Sequence, residues 1–201
     1  MKKILTLCMS ALLFLSVAAS ASAADVFYTV VRGDSLWKIA VRHEIGVSEI
    51  IAANPQIQNP NLIYPGDIVR VPLQDAGVAA YEDEVIRLVN AERARYGLSP
   101  LSKNWELCRV ARYKSQDMAD RRYFSHTSPT YGSPFQMMKA FGITYRAAGE
   151  NIAYGQRTPQ EVVSAWMNSP GHRANILNAA FTEIGVGYVA SGNYWTQMFI
   201  G

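Results

Sequence analysis

Three histidines and one cysteine outside the first twenty residues hold most of the reactive chemistry open to this chain. His126 stands in "RRYFSHTSPTYGSPF", residues 121–135, after two aromatics and before a run of turn-forming Ser, Thr, Pro and Gly. An imidazole at the rim of such a loop can work as a base, serve as a ligand, or simply hold the loop in place. His172, in "SPGHRANIL", falls in the first turn of a short helix. There the helix dipole disfavours imidazolium and lowers the pKa, leaving a neutral ring that can accept a proton or bind a metal. His43 reads as a surface residue within a helix, and "HEIGV" lacks the second histidine of a zinc-protease HExxH. No G-x-S-x-G elbow and no Cys–His signature is present. Cys108, on the helical stretch "NWELCRVARYKSQDMADR", reads as a small buried hydrophobe.

Composition narrows the setting for these groups. Lys2 and Lys3, the apolar "ILTLCMSALLFLSVA" and the small-residue "ASASAA" form an export signal over residues 1–23, with cleavage expected before Ala24. Cys8 precedes the end of the apolar core, so it is not placed as a lipid attachment site, and its removal leaves Cys108 unable to form an intrachain disulfide. The mature chain has 17 Lys and Arg against 16 Asp and Glu and no basic block, which argues against nucleic acid as a partner. Later apolar runs are short, so no membrane span is expected once the signal is cleaved.

Residues 26–72 read as strand, helix, helix, strand. "VFYTVV" is β-branched and aromatic, "SLWKIAVRHEI" carries Leu36, Ile39, Ala40 and Ile45 at helical spacing behind a cap at Asp34 or Ser35, and Ser48 is the expected cap of "EIIAAN". "YPGDIVRVP" supplies a turn and a closing strand. Residues 73–80, "LQDAGVAA", are weakly patterned and read as a linker. From residue 81 to 201 the pattern is largely helical. "EDEVIRLVNAERARYG" and the Cys108 helix each carry an apolar stripe; Ser133 and Thr158 cap later helices, with Glu161 completing a capping box. "TEIGVGYVA" and "NYWTQMFIG" alternate as two strands around Ser191-Gly192-Asn193.

Two resemblances follow from these stretches. "YTVVRGDSLWKIA", "ANP" and "IYPGDIVRVP", in order and at normal spacing, resemble a LysM domain. That resemblance implies binding of peptidoglycan, chitin or another N-acetylglucosamine polymer, through Gly33, Asp34, Ser35, Leu36, Asn61, Leu62 and Ile63. Helix capping by Asp34 and Ser35 and core packing by Leu36 and Ile63 are the alternative roles. "VIRLVNAERARYGLSPL", "YFSHTSP", "GENIAYG", "VVSAWMNSPGHRANILN", "EIGVGY" and "YWTQMF" resemble the CAP superfamily, also called SCP/PR-1, in its bacterial form. The expected fold class is therefore α+β: a small βααβ LysM unit followed by an α-β-α sandwich with an open cleft.

By the second resemblance, "FSH" brings His126 and "GEN" brings Glu150 to that cleft, and the bacterial form adds His172. A second cleft histidine and a second glutamate of the family are replaced here by Tyr194 and Ser169. Three roles stay open: catalysis by His126, Glu150 and His172; zinc or another divalent metal on His126 and His172, although no cofactor is required; or a fastener between two loops. Tyr194 and Gln197 would orient substrate or water. The resulting expectation is a secreted protein associated with the cell wall or spore envelope, whose CAP domain binds a ligand, protein or lipid partner. A wall-acting or peptide-cleaving hydrolase and a lipid-binding module are the rivals.

Overall fold

The computed structural model describes residues 25–201. The expected signal peptide, residues 1–23, and Cys8 lie outside the described residues. Strand β1 (Val26–Thr29) pairs antiparallel with β2 (Ile68–Val71), Val26 opposite Val71, and helices α1 (Leu36–Arg42) and α2 (Val47–Ala53) fill the connection. Their shared core is Val30, Leu36, Ile39, Ala40, Ile50, Val69 and Val71. Ser35 caps α1, its Oγ accepting the Lys38 N–H. The expected cap at Ser48 is not made. Gly46 occupies the cap position without a side-chain bond, α2 starts two residues earlier than expected, and the Ser48 hydroxyl donates to Glu49 instead. Helix α1 ends at Arg42, so His43 is its C-terminal cap and not a mid-helix residue. Asn54 explains the "ANP" stretch: almost wholly buried, its amide donates to the Ile50 and Arg70 carbonyls and accepts the Arg70 N–H, tying the end of α2 to β2.

The rest of the chain surrounds a four-stranded sheet. In order come α3 (Ala76–Arg95), β3 (Ser102–Lys103), α4 (Trp105–Arg121), α5 (Pro134–Ala140), β4 (Ala148–Tyr154), α6 (Pro159–Met167), α7 (Pro170–Ile176), β5 (Glu183–Val189) and β6 (Tyr194–Ile200). The strand order is β3-β5-β6-β4, with β3 parallel to β5 and the other pairs antiparallel. Leu107, Val110 and Ala111 of α4 and Met137 and Met138 of α5 pack on Met198 and Ile200 from one side. Val85 and Val89 of α3 and Val162 and Trp166 of α6 pack on Trp195 and Phe199 from the other. This is the α-β-α sandwich. Gly185 and Gly187 let α4 sit directly on β5: a Cβ at either would overlap the helix backbone at Leu107–Cys108 or Ala111–Arg112. Cys108 is buried as expected.

Two segments differ from the sequence reading. Helix α3 begins at Ala76, inside residues 73–80, because Asp75 accepts the Val78 N–H as a cap and the following Ala-rich turn favours helix. Glu161 does not close a capping box on Thr158; its carboxylate accepts the Arg157 N–H one residue earlier. The βααβ unit also docks on α4. Arg109 grips Glu49 through both Nε and Nη2, the Tyr113 hydroxyl donates to the same carboxylate, and the Arg109 guanidinium lies 5.3 Å from the centres of the Tyr113 and Phe141 rings.

Candidate functional site

The loop that carries His126 is built from α4. Lys114 and Asp117 lie on the helix face that packs inward, 1% and 8% exposed, where an unpaired charge would be costly. Both are paired. The Lys114 ammonium donates to the Ser125 and His126 carbonyls at 2.7 and 2.9 Å and to the Tyr123 hydroxyl at 3.2 Å. Burial pushes its pKa below the usual lysine value, while the nearby Glu150 and Asp117 charges pull it back. Asp117 accepts from the hydroxyls of Thr130, Tyr123 and Ser128 and pairs with Arg121. Burial alone would raise the Asp117 carboxyl, but these donors outweigh it and hold the group below the usual range. One buried cation and one buried anion thus fix both ends of residues 123–130.

His126 then meets Glu150. Its Nδ1 lies 2.7 Å from Glu150 Oε1; the carboxylate can only accept, so Nδ1 carries the proton. The two side chains differ sharply in exposure, 54% for His126 and 2% for Glu150. Glu150 is not on a loop, as the sequence suggests, but on the edge strand β4, opposite Met198 of β6. Its second oxygen, Oε2, is buried without a hydrogen-bond partner.

His172, on α7, comes close enough for the His126 charge to affect it. Burial first, and then His126, push its pKa below the ordinary imidazole value. The direction matches the sequence expectation, but burial and a neighbouring ring cause it where a helix dipole was expected. Beneath it, Asn151 donates to the His172 carbonyl and to Gln197 Oε1, and Asn175 donates to the Glu150 carbonyl and Asn151 Oδ1. Gln197 is fully buried among these amides. It forms part of the floor of the site, with its Oε1 accepting from Asn151 and its Nε2 left without a partner. Tyr194 packs on Tyr154 with ring centres 4.6 Å apart and the planes tilted by 43°, and Tyr154 meets Phe124 at 6.2 Å. Phe124 and Tyr154 are about half exposed, so an aromatic shelf runs beside His126.

Among the described residues no three His, Cys, Asp or Glu side chains converge as a metal-binding group. The Nδ1 of His126 is taken by Glu150, which leaves Nε2 as the ring nitrogen open to a proton or an ion. Lys114, Asp117 and Asn151 are missed by the sequence reading. A signal was present for the first two: two charges on the Leu107–Val110–Ala111–Met118 stripe must be satisfied by something inside the fold.

In the βααβ unit, Gly33, Asn61 and Leu62 are exposed and Ile63 is half buried against the core. Leu36 is 2% exposed and offers a sugar no side-chain surface, which corrects that assignment. The Asp34 carboxylate accepts from the Tyr28 hydroxyl and the Val31 N–H and pairs with Arg42, so it fastens the loop. Ser35 serves as the cap. Leu62 instead shares a cavity of ≈ 500 Å³ with Gln56, Asn59, Tyr64 and Ile68, none of which the sequence reading singles out.

Comparison with known proteins follows this geometry. Residues 86–199 match the model of the cysteine-rich secretory protein family (CAP), and residues 28–72 match that of the LysM domain. The uncharacterized protein YkwD of Bacillus subtilis (strain 168) is 65% identical over 126 residues, 63% of this chain and 49% of that protein. The probable autolysin LDP of Staphylococcus aureus is 42% identical over 48 residues, 24% of this chain and 16% of that protein. The crystal structure of an extracellular SCP-domain protein of Bacillus anthracis superposes with a TM-score of 0.60 at 34% identity, covering 68% of this chain and 47% of that one. The chain thus spans half or less of the length of each of these proteins.

Proposed function

Since the chain belongs to the cysteine-rich secretory protein family and carries a LysM domain ahead of the family's fold, we propose that it is a secreted protein held on peptidoglycan at the cell wall or spore envelope, whose CAP domain binds a ligand without turning it over. One observation carries the ligand-binding role. Lys114 and Asp117 hold the His126 loop, and beside that loop Phe124, Tyr154 of β4 and Tyr194 of β6 form an aromatic shelf. Large aromatic faces left in water beside a firmly held loop mark a binding surface.

A second reading rests on the His126–Glu150 hydrogen bond. A buried carboxylate on Nδ1 fixes the tautomer and leaves Nε2 on a half-exposed ring, the arrangement of an imidazole set up as a general base. In that role Glu150 would orient the ring and stabilise its protonated form, and Nε2 would take a proton from water or a hydroxyl.

Incubation of the mature chain with purified peptidoglycan, beside His126→Ala and Glu150→Ala and with and without zinc, separates the readings. Sedimentation of all three proteins with the wall, without release of reducing ends or amines, is the expected result. Release by the wild type and by neither variant would make the protein a hydrolase and overturn the first reading.

A further inference from the structure

We propose that the groove between α1 and α4 is a second saccharide site, in which Trp37 and Trp105 cover N-acetylhexosamine units of the same glycan strand that the LysM domain grips. The inference rests on the reading of residues 28–72 as a glycan-binding module. Of the four tryptophans, Trp166 and Trp195 are 1% and 0% exposed, whereas Trp37 is 61% exposed. Trp37 therefore has an aromatic face free to lie against a ligand. Trp37 is the second residue of α1, directly after the Ser35 cap and Leu36, so the groove starts within the first turn that follows the LysM loop. Trp105 is the first residue of α4 and lines the groove from the other side.

The groove has a volume of ≈ 390 Å³, within the range of small-ligand sites. Its apolar walls are the two indoles and Phe141 together with aliphatic side chains of α1, α2 and α5, and its polar groups are Ser48, Glu106 and Arg109. That pairing fits an N-acetyl sugar: C–H faces to lie against aromatic rings, and a hydroxyl and acetamido edge to hydrogen-bond the rim. Glu106 and Arg109 bring one charge of each sign, which suits a neutral saccharide better than an anionic partner. The site is also held open in advance. Arg109 is fixed by Glu49, and at Gly46 any Cβ would overlap both of those side chains, so the two elements approach as closely as a glycine allows. A preorganised groove loses less on ordering when the ligand arrives.

The buried positions of Trp166 and Trp195 make tryptophan emission a reporter of this groove. The test titrates the mature chain with β-1,4-linked N-acetylglucosamine tetramer and hexamer, following emission and heat. The hexamer is expected to shift the emission. Trp37→Ala and Trp105→Ala should each weaken hexamer binding about 5- to 30-fold, with partial recovery in the Phe variants. Thermal unfolding checks that each variant is folded. If the hexamer binds wild type and both Ala variants alike, the second site is refuted while the LysM reading stands. If wild type binds neither oligomer, the LysM reading fails and the proposal fails with it. An emission shift from lipid vesicles or apolar peptide, and none from hexamer, would overturn the sugar assignment.

Discussion

Replacing Lys114 by Met asks whether a buried cation on α4 sets the position of His126. Methionine keeps most of the stem that packs on the helix face, so the change removes chiefly the ammonium and its three hydrogen bonds. Hydrogen bonds from a charged donor contribute about 1.5–3 kcal/mol each in favourable cases. Two effects reduce the sum. The desolvation cost of the ammonium disappears with it, and Ser125 and His126 are exposed enough for water to reach their carbonyls. A net loss of about 1–3 kcal/mol remains, or a Tm lower by roughly 2–12 °C in a chain of this size. The pH dependence carries a sign. The folded pKa lies below the 10.5 of the unfolded lysine, chiefly through burial, so between those values the folded state binds fewer protons than the unfolded one. Wild-type stability therefore gains with rising pH across that alkaline window, and Lys114→Met should lose that gain. Calorimetry at pH 7 and 10, with hydrogen exchange over residues 123–128, measures both. An unchanged Tm and unchanged protection of the loop would refute the argument that Lys114 holds it.

Four other outcomes are expected. Burial and the His126 charge lower the His172 pKa, so by NMR it should titrate below the ordinary 6.5 and move back toward that value in His126→Ala. Burial and the Glu82 charge push the Cys108 thiol up to about 11, so iodoacetamide at pH 8 should leave the native protein unmodified and label it once it is unfolded. Glu82 is 1% exposed and receives bonds from Gln74, Arg112 and the Tyr188 N–H; Glu82→Ala leaves the Arg112 charge without its carboxylate and should cost about 3–5 kcal/mol by denaturant unfolding. Arg109→Ala should free the LysM domain from α4, raising the radius of gyration in solution scattering and exposing residues 72–75 to protease.

What the sequence made legible was local. Ser133 and Thr158 announce their helices because a cap acts within one turn, and the stripe through Leu107 and Met118 announces α4 because one face is dry. Strand β4 escaped because Gly149–Ala153 is buried on both faces, covered by α5 on one and by α6 and α7 on the other. Alternation vanishes there, and Gly, Glu and Asn are poor strand formers that a partner strand must override. Leu36 was misplaced for a related reason: a residue beside a predicted loop site looks available, but the first turn of α1 already faces the sheet. Glu150 and Gln197 lie 47 positions apart in sequence, and only the β4–β6 register brings their neighbourhood together. No local pattern encodes a register between distant strands.

The junction between the domains changes what tethering means. A flexible linker over residues 73–80 would act through reach, raising the effective concentration of the CAP domain around any point of attachment. With α3 starting at Ala76 and Glu49 gripped by Arg109 and Tyr113, the LysM loops and the His126 cleft instead keep a defined relation. Orientation then adds to proximity. The device also has an acid limit. Burial would raise the Glu49 carboxyl, but Arg109, Ser48 and Tyr113 outweigh it and hold the pKa below the ordinary 4.5. A depressed folded pKa makes the docking contribution complete above the unfolded value and removes it as pH falls through the folded one. Scattering curves should therefore superimpose from pH 7 to 5 and expand only below about 4.5, the ordinary carboxyl value, with Glu49→Gln already expanded at pH 7. Expansion of the wild type at pH 6 would mean that some group other than this carboxylate holds the domains together.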